Sequence, residues 1–500
     1  MPAGSERSLA HLMPKRYFLS DPESTRHGRV LIIILLTLAG GCFRLFHLGT
    51  KSLWLDEGAT VALARMAWPH FVHVWWYGEA SFQGAFFLLM RGWLHLGQSE
   101  AWVRLPAAIF GIASIPVIYL VARKLVGLRP ALASAAILAF SPTHVYYSQE
   151  ARSYTMTILL VLVSTWFFVR AVEQNYERDW ILWTIFSVLA VYSHYFAALV
   201  LVAQACSMFF HRKPAPWGRF IVQGLVILAI AAPGLTYVLR VPPEALAFRM
   251  PKPTLTGLLY LGHFLGGPGG KFFLSTMLWI AGAIAIRRER NSEATAGSFW
   301  GGMLVVSWAV VPIVLTGLAS LRHPIFLPRY MIFSLPATVM LAGRGMTALS
   351  KMNVGLWLVV ALCVTSIPTL FRGYHKPRED WRNATNVILT SAQSGDAVVI
   401  YPSYAIGLFD YYRQLDQHAP DLHLFTPPFY DVGDDDRSLL RALGFNTREF
   451  RHVWVMIRQE GAARDTVQDD YPAVAAELQS VFGMPTTWQF KDITVLEFGR

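Results

Sequence analysis

Runs of roughly 20 apolar residues, most of them closed by a short turn carrying arginine or lysine, recur along most of this chain. A helix of that length crosses the hydrocarbon core of a bilayer, and inside lipid a backbone is satisfied only in helices or closed barrels. Lipid therefore limits the fold before any other consideration. Composition agrees: hydrophobic residues make up 54% of the 500 and charged residues 15%, against about 25% charged in soluble domains. Mean hydropathy is +0.39, and the 14% aromatic content with 17 Trp suits a chain anchored at two membrane interfaces. A soluble enzyme, a disordered chain and a fibrous repeat are excluded. The net charge of +11 is read by position, because basic residues gather on the cytoplasmic side of membranes; it is not a nucleic-acid signal. Cys42, Cys206 and Cys363 lie far apart in apolar stretches and suggest neither a metal site nor a disulfide framework.

The runs predict about eleven spans, at 30–48, 105–122, 131–147, 155–172, 180–194, 196–210, 219–239, 272–286, 298–318, 331–348 and 353–371. No small-residue cleavage pattern follows the first, so it reads as a retained helix rather than a signal peptide. With a cytoplasmic N-terminus, the inner loops carry Arg123, Lys124 and Arg129; Arg170 and Arg178; Arg212, Lys213 and Arg219; Arg287, Arg288 and Arg290; and Arg344 and Lys351. Every inner loop is then basic, as the positive-inside rule requires. An odd number of crossings leaves residues 372–500 extracytoplasmic. The pair 180–194 and 196–210 is short, and as one kinked helix it would reverse that placement. The first outer loop, 49–104, holds two apolar stretches too short to span, 58–68 and 82–97, which read as helices lying on the membrane surface. The chain thus divides into a membrane module, 1–371, and a tail, 372–500. In the tail, strand patterns at 396–401, 452–457 and 493–498 alternate with helical patterns at 407–415 and 462–482, implying a small α/β domain. Gly433–Asp436 reads as a solvated acidic turn.

Four clusters carry chemistry. Ser52-Leu-Trp-Leu-Asp56-Glu57 sets two carboxylates just past the first span; as a bland alternative they serve a helix N-terminus. Tyr146-Tyr-Ser-Gln149-Glu150-Ala-Arg152-Ser-Tyr154 packs polar and aromatic groups at a membrane boundary, where ionisable residues need partners. Tyr192-Ser-His194-Tyr195 and the group Leu321-Arg322-His-Pro324 with Phe326-Leu-Pro-Arg329-Tyr330 complete the set. All four fall on the outer side of a topology chosen from Lys and Arg alone. A carboxylate there can act as general base toward a hydroxyl, arginines can grip a phosphate bidentately, and aromatics can bracket a sugar ring. Arg152 has Glu150 nearby for a local ion pair, whereas Arg329 has no acidic neighbour in sequence. A transporter or flippase for lipid-linked or amphipathic solutes stays open, as does a non-catalytic partner in glycan assembly, although the charged clusters lie at helix ends rather than mid-span.

These motifs resemble those of the GT-C type membrane glycosyltransferases that use polyprenyl-phosphate sugars, which include the protein O-mannosyltransferases and the lipid A aminoarabinose transferases. The resemblance lies in Leu-Trp-Leu-Asp56-Glu57, in Ser99-Glu-Ala-Trp-Val-Arg104-Leu-Pro106 and in Ser-Gln149-Glu150-Ala-Arg152-Ser-Tyr154. It continues in Pro328-Arg329-Tyr330 with Leu335-Pro336, and in Glu379-Asp380-Trp381-Arg382. Gln83-Gly84 stands where relatives often carry a Pro-Pro step, a departure bearing on sugar or acceptor preference rather than on reaction class. The resemblance implies inverting transfer from a polyprenyl-phosphate-linked sugar to a glycan, lipid or protein hydroxyl, at the outer face of a plasma (bacterial inner) membrane. It makes Asp56 the base, with Glu57 supporting it or binding substrate. Arg152 and Arg329, then Arg322, are the expected phosphate ligands. Gln149, Glu150, Tyr154, His194, Tyr195, Tyr330 and Glu79 are candidates for substrate contact. No cofactor is expected. Glu57, Glu79 and His194 are the residues a divalent metal would use, though no metal-ligand spacing is visible.

Overall fold

The structure is a computed structural model describing residues 23–77, 83–211, 214–240, 254–291, 296–322, 325–349, 353–426, 449–459 and 471–499. Helices occupy every stretch read as a span. Among the described residues, seven are long and apolar enough to cross a membrane: Arg26–Leu45, Glu100–Leu125, Tyr154–Gln174, Trp217–Gly234, Gly270–Arg288, Phe299–Ala319 and Val354–His375. The helices Leu128–Phe140, Glu177–Ser193, Ala198–Met208 and Leu335–Ala348 have 13, 17, 11 and 14 residues. At 1.5 Å per residue they are roughly 16–26 Å long, short of a core of about 30 Å. The stretch 131–147 is broken where Pro142 follows Ser141, whose hydroxyl caps a second helix, Pro142–Ser148, at His144 N.

The doubtful pair resolves into two antiparallel segments. Helix Tyr154–Gln174 is zipped to Glu177–Ser193 by Thr157–Ser193 and Ser164–Ser187 hydroxyl pairs, both 2.8 Å. Gln204, beyond the break at His194, reaches back to Trp183 Nε1 (2.9 Å) and Thr165 Oγ1 (3.3 Å). A continuous helix would separate Trp183 and Gln204 by roughly 30 Å. The chain therefore reverses at 194–197.

Basic loops and chemical clusters sit at opposite ends of the bundle. Lys124 pairs with Glu173 at 2.6 Å and Arg170 with Asp179 at 3.0 Å, around the C-terminal end of helix Tyr154–Gln174. Arg219 bonds Asn175 O beside them, and Arg344 pairs with Glu289. The N-terminal end of Tyr154–Gln174 adjoins Arg152, which bonds the Asp56 carbonyl.

The loop 49–104 forms helices Leu55–Arg65, Trp68–Tyr77 and Gly84–Trp93. Among the described residues, the tail forms a five-stranded sheet ordered β2 (His423–Phe425), β1 (Ala397–Tyr401), β3 (His452–Arg458), β5 (Ile493–Gly499) and β4 (Thr486–Phe490). Strands β2, β1 and β3 are parallel, and β5 runs antiparallel to both β3 and β4. The helical pattern of 462–482 appears as Tyr471–Phe482; residues 462–470 and the acidic turn Gly433–Asp436 lie outside the described residues. Loop and tail share one core, in which Leu53, Val61, Phe86 and Met90 pack with Trp381, Leu408, Phe409 and Trp454. The contact is close: a Cβ on Gly58 would lie 2.3 Å from Leu408 Cγ. Glycine is what lets helix Leu55–Arg65 seat against the tail helix Ile406–Leu415.

Candidate active site

Asp56 occupies the first turn of helix Leu55–Arg65, at the end of the bundle away from the basic loops. Its Oδ2 lies 3.2 Å from Arg329 Nη1, and its carbonyl accepts from Arg152 Nη1 at 3.3 Å. Arg329 comes from the turn Pro328–Ser334, which leads into helix Leu335–Ala348. Both guanidinium groups have buried Nε atoms with no hydrogen-bond partner among the described residues. Burial opposes the Arg329 charge, but Tyr154 and Asp56 raise its pKa above the ordinary guanidinium value.

Arg329 therefore has a carboxylate partner after all. Asp56 is 273 positions away in sequence, so no local reading could find it. The Arg152–Glu150 pairing is not what forms. Glu150 is 1% exposed and pairs with Arg378 at 3.2 Å, leaving Arg152 turned toward the Asp56 turn. Burial pushes the Glu150 carboxyl up to about 7 even against Arg378.

Glu57 is fully buried and does different work from its neighbour. It accepts from Arg104 Nε and Nη2 at 2.8 and 2.7 Å and from Ala151 N at 3.0 Å, and Arg378 Nη1 lies 3.6 Å away. Burial opposes its charge, and Arg104 with Arg378 and the Ala151 N–H outweigh it, holding the carboxyl below its usual range. Glu57 thus ties the Asp56 helix to the second span and to the 149–153 turn.

The remaining candidates separate. Tyr154, His194 and Tyr330 gather beside the arginines: His194 lies 6.1 Å from Tyr154 and 5.2 Å from Tyr330 between ring centroids, and Arg329 stacks 5.6 Å from the Tyr330 ring. Gln149 is committed elsewhere, its Nε2 donating to Phe46 O (2.7 Å) and Arg44 O (3.2 Å) and so closing the end of the first helix. Tyr195 packs with Val191 and Ala231, facing helix Trp217–Arg240. Arg322 is on the exposed turn after Ala319, and no described contact joins it to the cluster. Glu79 lies outside the described residues. Among the described residues no three His, Cys, Asp or Glu side chains gather as metal ligands.

Sequence reasoning did not assign a role to Arg104, Arg378 or Lys51. Partial burial, then Arg378 and Arg104, push the Lys51 amine down to about 8. A signal for Arg104 was present: a charge in the opening turn of a spanning helix needs a partner. Trp75, Ala85 and Leu88 of the loop helices line an open apolar pocket of about 290 Å³ with Leu189, Tyr192 and Pro233.

A multi-pass helical bundle with a large helical loop after its first helix and a small α/β tail agrees with the fold the motifs implied. Residues 85–237 match the sequence model of the family described as dolichyl-phosphate-mannose-protein mannosyltransferase. ArnT from Cupriavidus metallidurans bound to undecaprenyl phosphate is similar over 94% of this chain and 98% of its own, at 14% identity and a TM-score of 0.60. The Archaeoglobus fulgidus oligosaccharyltransferase in the apo form is similar over 86% of this chain and 70% of its own, at 12% identity and a TM-score of 0.58. AglB of the same organism, in complex with an inhibitory peptide and a dolichol-phosphate, gives 11% identity over 93% of this chain and 73% of its own, with a TM-score of 0.55. At these identities the likeness is one of fold. No curated protein matches the chain in sequence.

Proposed function

We propose that the protein is a glycosyltransferase that moves a sugar from a polyprenyl-phosphate donor to a hydroxyl acceptor at the outer face of a bacterial inner membrane. The observation that carries this reading is the pairing of the Asp56 carboxylate with Arg329, beside Arg152, at one end of an apolar bundle. That constellation offers a base and two anion-binding forks within one site. The placement of the basic loops at the far end supports an outward-facing site. The match to the mannosyltransferase family model and the polyprenyl-phosphate ligands of similar folds favour the donor class.

In the proposed step an Asp56 oxygen takes the proton of the acceptor hydroxyl. The acceptor oxygen attacks the anomeric carbon, and the bond from that carbon to the donor phosphate oxygen breaks with its electron pair going to phosphate. One displacement inverts the anomeric centre. The leaving polyprenyl phosphate gains one negative charge, and Arg329 and Arg152 stand where that charge develops. The unpartnered Nε atoms of both arginines suit this task. Two guanidinium groups supply the charge that a divalent cation supplies elsewhere, so the step as drawn uses no metal. Base and leaving group lie on opposite faces of the sugar, so Arg329 must turn from Asp56 toward the phosphate when donor binds. The test is turnover of a radiolabelled polyprenyl-phosphate sugar by purified protein in nanodiscs. Asp56→Asn is expected to cut transfer by about 10² or more while donor binding persists. Parental turnover by folded Asp56→Asn would remove Asp56 from the mechanism, and a parent chain that transfers no sugar would remove the reading itself.

A further inference from the structure

The helix that carries Asp56 begins badly. Its N-cap residue is Trp54, which has no side-chain acceptor for the first-turn N–H groups. Glu57 reaches back to Trp54 N at 3.3 Å, and the Leu55 N–H is among the first-turn donors that still need an acceptor. Glu379 satisfies it. This residue lies 324 positions further on, where the chain enters the tail, and its Oε2 accepts from Leu55 N at 3.2 Å. The same oxygen accepts from Trp381 Nε1 at 2.8 Å, and Oε1 takes Arg458 Nε and Nη2 at 2.9 and 2.8 Å. Arg458 ends strand β3, so the sheet of the tail reaches through one carboxylate to the residue beside Asp56. The negative charge also faces the positive end of the helix dipole.

Neighbouring contacts run the same way. Tyr412 OH receives Leu53 N at 2.7 Å and lies 3.0 Å from Ser52 Oγ, and Arg382 Nη2 pairs with Glu100 at 2.6 Å. The Tyr412 contacts join the tail to the residues just before Asp56, and the Arg382 pair joins it to the start of the second span.

We infer that the tail is a working part of the site: Glu379, held by Arg458 and Trp381, is a positioning residue that fixes the first turn on which Asp56 stands. This rests on Asp56 being the base. Misplacement of a reacting group by about 1 Å costs up to about 10²-fold in rate, so loss of this cap lowers kcat and leaves donor KM in place.

The experiment uses the full chain in nanodiscs with a polyprenyl-phosphate sugar and a hydroxyl acceptor. Glu379→Ala and Arg458→Gln are expected to lower kcat about tenfold or more at unchanged donor KM. Glu379→Gln keeps an acceptor for the Leu55 N–H and recovers part of the rate. Tyr411→Phe, which removes a different bond across the same interface (Tyr411 OH to Gln98 O, 2.7 Å), keeps the parental kcat. Hydrogen exchange at Leu55 supplies a readout independent of activity: the amide, bonded to Glu379 in the parent, is expected to be protected there and to exchange faster in Glu379→Ala. Should Glu379→Ala fail to fold, Arg458→Gln carries both measurements. Parental kcat and parental exchange in the folded variants overturn the inference, as does an equal kcat loss in Tyr411→Phe. A parent that exchanges as expected but transfers nothing removes the transferase reading alone.

Discussion

Adjacent carboxylates in this site answer to opposite forces, and exchanging each for its amide separates them. Glu57 is 0% exposed and its main partner Arg104 is 2% exposed. Glutamine at 57 has the right shape but only one acceptor oxygen where Glu57 receives two N–H groups of Arg104 and that of Ala151. Its NH₂ would face guanidinium donors. Arg104 would keep the carbonyls of Leu48, Lys51 and Ser52 but lose its counter-charge in a dry setting. Removing one partner from a buried ion pair costs about 3–5 kcal/mol. The Asp56–Arg329 pair is 24% and 34% exposed, and pairs so hydrated contribute about 0–1 kcal/mol. Asp56→Asn should therefore unfold with the parent and lose about 10² or more of its turnover. Glu57→Gln should unfold several kcal/mol earlier, with milder loss of turnover in the molecules that stay folded. Chemical unfolding in detergent, read beside transfer on the same preparations, measures both. Parental stability in Glu57→Gln would refute the claim that this carboxylate holds the loop together.

Arg329→Lys keeps the charge but loses the fork, so transfer should need more donor, and Arg329→Ala should need more still; unchanged donor dependence in both moves the phosphate site to Arg152. Glu150 titrates near 7 in the folded chain against 4.5 as the reference value. The folded state then holds the extra proton between those values, so the Glu150 contribution to stability falls as pH rises from about 4.5 to about 7 and is flat above. Glu150→Gln should flatten that slope in a pH series of unfolding midpoints, and an unaltered slope would assign it to another group. A reporter active only in the cytoplasm, fused after Arg500, should stay silent if the tail lies outside; a strong signal would mean an even number of crossings.

Sequence revealed what lipid imposes and concealed what the fold brings together. The apolar runs located the helices because hydrocarbon thickness fixes their length, and Lys and Arg counts placed the four clusters at one end for a reason unrelated to chemistry. The pairing within the site followed no local rule. Arg329 looked solitary because its carboxylate lies 273 residues upstream, and Glu150 looked like a partner for Arg152 only because the two are neighbours in sequence. Strands β2 and β4 escaped notice since β2 has only three residues and β4 is mostly exposed, so neither shows a buried apolar run. Residues 49–104 and 372–500 read as separate units because composition changes between them, yet Trp381 and Leu408 share a core with Leu53 and Val61. The weak start of helix Leu55–Arg65 was the one local sign of that union. A Trp at the N-cap is a poor beginning for a helix, and a poor beginning that persists at a site requiring fixed geometry implies support from elsewhere in the chain. Glu379 is that support, and its position after the last span places the tail within reach of the chemistry.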